Sequence, residues 1–141
     1  MLVATGALAL AGASYFDLRT RHVPNWLVAA YGLAALAETV FLVGGLPARL
    51  LIGAVVFAVL ALAFSTGGIG GADVKLCAIT AFLFGPLAGT AVLASGFAVA
   101  VAFGVSQAVF RRRPFMGLTL PFAPCLLAGL SAMYLLAFLV A

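Results

Sequence analysis

Pro47-Ala48-Arg49-Leu50-Leu51-Ile52-Gly53-Ala54-Val55-Val56-Phe57-Ala58-Val59-Leu60-Ala61-Leu62-Ala63-Phe64-Ser65-Thr66 is a run of 20 residues in which Arg49, near the start, is the single charge. About 20 mostly apolar residues are what an α-helix needs to cross the hydrocarbon core of a bilayer. Five further apolar runs lie around it between polar punctuation, near 1–16, 26–44, 74–84, 87–110 and 122–140. Only a helix or a closed barrel satisfies its own backbone in lipid. The pattern therefore predicts an all-α polytopic membrane protein with about six transmembrane helices, in a single domain over 1–141. The run 74–84 is the shortest, rising only about 16 Å at 1.5 Å per residue.

The composition agrees. Of 141 residues 67% are hydrophobic and only 7% are charged, against roughly 25% charged in soluble domains. The net charge of +4 comes from basic residues scattered among apolar segments, which gives no phosphate-tracking face, so no nucleic-acid partner is expected. Cys77 and Cys125 stand alone in apolar stretches without a C-x-x-C pair, which predicts buried thiols and neither a zinc site nor a redox motif. Ala11-Gly12-Ala13 imitates a signal-peptide cleavage site, yet no Lys or Arg precedes the apolar run. Residues 1–16 are therefore read as a first membrane helix.

If the runs alternate across the membrane, the loops 17–25, 67–73 and 111–121 share one side. They take Arg19, Arg21, Arg111, Arg112 and Arg113, with Lys75 just inside the next helix and Arg49 opposite. The positive-inside rule puts these loops in the cytoplasm and both termini outside. The arginine cluster 111–113 is read as topological and lipid-facing. Pro24 and Asn25 mark a helix start at Trp26, with Asn25 as its cap and Trp26 as an interface anchor. Gly44-Gly45 with Pro47, and Gly85-Pro86, mark outer turns, while Pro114, Pro121 and Pro124 break the last loop. Gly85 with Gly89, and Ala100 with Gly104, predict close helix packing within the chain.

An ionised carboxylate in a bilayer costs several kcal/mol unless it is paired, hydrated or protonated, and this chain has three: Asp17, Glu38 and Asp73. Asp17 follows the first run in Asp17-Leu18-Arg19-Thr20-Arg21-His22-Val23-Pro24-Asn25-Trp26. Asp73 closes Gly67-Gly68-Ile69-Gly70-Gly71-Ala72-Asp73. A structural account of Asp73 is a helix N-cap, and of Asp17 an ion pair with Arg19 or Arg21, worth about 0–1 kcal/mol at a surface. The glycine run asks for positive φ or for close approach by another backbone. Glu38 reads as a hydrogen-bonded structural residue, Lys75 as a residue snorkelling to the interface, and His22 has no nucleophile partner.

The two motifs, with Val74-Lys75-Leu76 after the second, resemble those of the type IV prepilin peptidases, in order and spacing. The compact length is most similar to the stand-alone peptidases of Flp-type (tight-adherence) pilus systems. The resemblance implies an aspartyl endopeptidase of the GxGD class at the membrane boundary, with Asp17 and Asp73 as the catalytic pair and no metal or organic cofactor. Gly68, Gly70, Gly71 and Lys75 are then assigned to shaping the loop or contacting substrate. The implied partners are a prepilin, with its short leader and apolar N-terminal helix, and the bilayer of a prokaryotic inner membrane, with the active site facing the cytoplasm. Ala72 departs from the class by standing where its second glycine is usual, and alanine does not adopt positive φ freely. The chain also lacks the cysteine-bearing insertion of longer members, so cleavage without N-methylation is expected. Helix dipoles make Asp73, at a helix start, the ionised partner, and Asp17, at a helix end, the proton holder. The competing readings are a small ion- or proton-coupled transporter component, for which sparse intramembrane acids are also a mark, and an inactive membrane scaffold.

Overall fold

The computed structural model describes residues 1–67, 69–111 and 121–140. Helix α1 runs over Leu2–Thr20, α2 over Asn25–Glu38 with a π-helical extension Thr39–Val43, α3 over Leu46–Ser65, α4 over Gly71–Arg111 and α5 over Phe122–Val140. No strand occurs among the described residues. Both cysteines are free and buried, as the sequence predicts.

Four segments are long and apolar enough to cross a membrane, not six: Asn25–Val43, Leu46–Ser65, Gly71–Gln107 and Phe122–Leu139. Two physical reasons account for the difference. Helix α1 does not stop at residue 16 but continues to Thr20, taking Asp17 and Arg19 into its last turns and diluting its apolar character. The runs expected at 74–84 and 87–110 form one helical stretch, broken at Gly85 (φ 80°, ψ −176°) and followed by Pro86. At that break the chain turns back on itself. A Cβ on Gly89 would lie 2.7 Å from the Ala81 carbonyl oxygen, whereas residues eight apart in a straight helix are about 12 Å apart along its axis. The two arms of α4, 71–84 and 86–111, therefore meet closely beside the turn.

Arg49 of α3 braces the turn. Its Nη1 donates to the carbonyls of Leu83 and Phe82, two of the groups a helix end leaves without partners. A Cβ on Gly85 would lie 3.5 Å from the guanidinium carbon. Positive φ favours glycine there, while the guanidinium lies at ordinary contact distance.

Helix α4 packs against all the other helices. Of the best apolar window in α4, 61% is buried, against 6% for α3, so α4 is the central element and α3 is largely exposed. Leu10, Leu76, Leu83, Leu126 and Leu130 form the fully buried centre. Close packing is the chief attraction between helices in lipid, and the second arm of α4 meets α5 through glycine. A Cβ on Gly129 would lie 2.4 Å from the Gly96 nitrogen, and Ser95 Oγ donates to the Gly129 carbonyl at 3.1 Å. Glu38, at the end of α2, accepts from Thr5 Oγ1 of α1, tying these helices together. Glu38 Oε2 and the hydroxyl of the adjoining Thr39 are buried without a hydrogen-bond partner among the described residues.

Candidate active site

Asp17 lies one turn before the end of α1. Its carbonyl accepts from the Arg21 N–H at 3.0 Å, and Arg21 closes the helix in the left-handed conformation (φ 54°). The carboxylate turns toward α5, where Oδ2 accepts from the Ala123 N–H at 3.3 Å. Ala123 is in the first turn of α5, where backbone N–H groups lack intrahelical acceptors and the dipole favours negative charge. The sequence reading missed this partner; Pro121 and Pro124 mark where α5 starts but not which backbone N–H meets Asp17. Arg19, one of the two arginines that the structural account offered as a partner for Asp17, instead donates to Tyr15 Oη and lies over that ring at 5.7 Å.

Asp73 is not the N-cap of α4 but its third residue. Gly70 precedes the helix and accepts from the Val74 N–H at 3.2 Å, while the Gly70 N–H bonds back to the Asp73 carboxylate. This is the return half of a capping box, in which a side chain in the first turn satisfies the N–H of the residue before the helix. A Cβ on Gly70 would lie 2.9 Å from Asp73 Oδ2, so the bare backbone at 70 lets the carboxylate fold back. Gly71 opens α4 against Phe64, with 3.4 Å between its would-be Cβ and the ring. Gly67 takes positive φ (77°) at the end of α3. Gly68 lies outside the described residues. Ala72 is within the first helical turn, and Arg21 alone among the described non-glycine residues has positive φ. Alanine at 72 is therefore unstrained.

The two carboxylates, each half-buried, are close enough for the charge of Asp17 to bear on Asp73. Both act on Cys125, in the first turn of α5, and Asp73 acts on Cys77 one turn further along α4. The arrangement gathers two acids from α1 and α4 at the start of α5, beside two thiols. The dipole distinction between the acids loses its basis, because Asp17 ends α1 but also faces the start of α5. Among the described residues no group of three or more His, Cys, Asp or Glu side chains is placed to hold a metal ion.

Lys75 does not join this cluster. Two residues on from Asp73 is about 200° around a helix, and Lys75 Nζ donates to Asn25 Oδ1 at 3.2 Å. Asn25 is thus not the cap of α2: the helix begins at Asn25 itself, behind Pro24, with no side-chain cap. His22 is exposed in the turn after α1. The arginine loop, residues 112–120 together with the Arg111 side chain, lies outside the described residues.

No curated protein matches the chain, and no solved structure matches it. The model of the type IV leader peptidase family does, over residues 4–141. That match takes in both aspartate motifs and every helix between them, and the chain belongs to the type IV leader peptidase family.

Proposed function

We propose that this chain is an aspartyl endopeptidase that removes the short leader of a type IV prepilin of the Flp class, with Asp17 and Asp73 as its catalytic residues. The supporting observation is that these two carboxylates, from separate helices at one end of the bundle, lie within electrostatic reach of each other, in a chain of a leader peptidase family. Two neighbouring carboxylates cannot both ionise cheaply, so the pair keeps one proton between them. The ionised member takes a proton from water as its oxygen attacks the scissile carbonyl carbon, and the protonated member donates to the carbonyl oxygen. Collapse of the tetrahedral adduct breaks the C–N bond, and the amine leaves with a proton from the pair. The Ala123 and Gly70 N–H groups hold the two carboxylates in place without supplying charge of their own.

The proposed setting is the prokaryotic inner membrane, with the aspartate end of the bundle in the cytoplasm, where a leader would present itself. The whole chain serves as one membrane domain that cleaves without N-methylation. Co-expression with Flp-type prepilins tests this reading. At matched membrane abundance, wild type removes the leader and both Asp17→Asn and Asp73→Asn lose removal by at least a thousandfold. Full activity in either variant refutes the pair.

A further inference from the structure

A second feature lies on the far side of α4 from the aspartates. A lateral groove of about 420 Å³ runs between α2, α3 and the first arm of α4. Its walls are apolar, including Val28, Gly32, Phe57 and Ile79, and its polar lining is Lys75 and Asn25. Helical geometry separates it from the catalytic cluster. Relative to Asp73, Lys75, Ala78 and Ile79 lie roughly 140–240° around α4, whereas Cys77 lies within about 40°.

Lys75 is exposed, and its hydrogen bond is to a neutral acceptor, Asn25 Oδ1. An ammonium carries three donors and a side-chain amide two, so the pair retains donors for an acceptor of negative charge beside an apolar trough. Asn25 opens α2, where the positive end of the helix dipole adds to the same preference. We propose that this groove binds one anionic phospholipid, with its phosphate on Lys75 and Asn25 and an acyl chain along Val28, Gly32 and Phe57. The charge complement of the mouth and the apolar walls are matched by one amphiphile, and the bilayer supplies it. A prepilin helix meets the groove less well, because its scissile bond must reach the opposite face of α4. Only this exclusion of the substrate helix rests on the paired-aspartate reading; lipid retention is measured without it.

The test is native mass spectrometry of the purified full chain with phosphatidylglycerol and phosphatidylcholine of identical acyl chains. One basic residue near a membrane surface favours an anionic lipid by roughly fivefold. Wild type should retain one phosphatidylglycerol with about that preference. Lys75→Gln should bring the preference close to one, while Lys75→Arg keeps it. Ala29→Trp, which fills the groove wall, should remove both lipids, with thermal unfolding confirming that each variant is folded. Equal retention of the two lipids by wild type overturns the proposal, as does unchanged retention in Ala29→Trp. If Ala29→Trp instead abolishes leader removal in phosphatidylcholine liposomes while lipid retention persists, the groove belongs to the substrate helix and the proposal fails.

Discussion

A methyl group added at Gly70 would stand 2.9 Å from Asp73 Oδ2, inside van der Waals contact, and the carboxylate is the group free to move. Gly70→Ala is therefore expected to lower leader removal at least tenfold while leaving the unfolding temperature within a few degrees of wild type. Ala72 has the opposite character, since it is an ordinary helical residue. Ala72→Gly should cost about 0.5–1 kcal/mol of stability through backbone entropy, with activity per folded molecule unchanged; parallel unfolding and cleavage assays on the two variants check this. The glycine run shows in the sequence as a signal, but not the separate tasks within it. Positive φ belongs to Gly67 and side-chain clearance to Gly70, whereas Gly71 packs on the Phe64 ring at ordinary contact distance. One residue type answers both demands, so composition cannot separate them. The same limit hid the partner of Asp17, because a backbone N–H at Ala123 has no side-chain signature and lies 106 positions away in the chain.

Among elements, the turn at Gly85-Pro86 was legible as punctuation, but its brace was not. Arg49 reads in sequence as a lone charge on the side opposite the other basic residues, and the fold uses it to satisfy the carbonyls at the end of the first arm of α4. Arg49→Leu leaves these carbonyls without that donor, at a cost of about 1–3 kcal/mol. Arg49→Lys should recover part of this, because one ammonium lacks the planar fork of a guanidinium. Unfolding of the purified variants in a graded denaturing detergent would rank them wild type, lysine, leucine. The crossing of α4 and α5 is more severe. A Cβ at Gly129 would lie 2.4 Å from the Gly96 nitrogen, a backbone atom that cannot rotate aside. Gly129→Ala must separate the helices and is expected to cost about 1–3 kcal/mol, whereas Gly12→Ala, whose new Cβ would meet only the Leu27 side chain at 3.6 Å, should be nearly neutral.

For the whole molecule, hydropathy delimits the apolar runs but cannot say how a run is used once it is buried in protein rather than lipid. The central α4 departs from the span pattern because neighbouring helices take the place of lipid around it, and α1 because its last turns carry Asp17 and Arg19 beyond the apolar run. The proposed orientation in the membrane is open to direct measurement. Both aspartates lie at the end of the bundle where α1 closes and α4 opens, while Gly44, between the π-helical turn and α3, lies at the opposite end of α2. His22 and Gly44 are both exposed, and the native thiols are buried. Single cysteines at these positions therefore report the two faces, in a background with Cys77→Ala and Cys125→Ala. In intact inner-membrane spheroplasts a membrane-impermeant maleimide should label Gly44→Cys, and should label His22→Cys only after the membrane is opened. The reverse pattern would put the aspartates on the outer face, where a leader still held in the cytoplasm could not reach them. Leader cleavage by the same preparation would then have to come from another enzyme, and the paired-aspartate assignment would fall with the orientation.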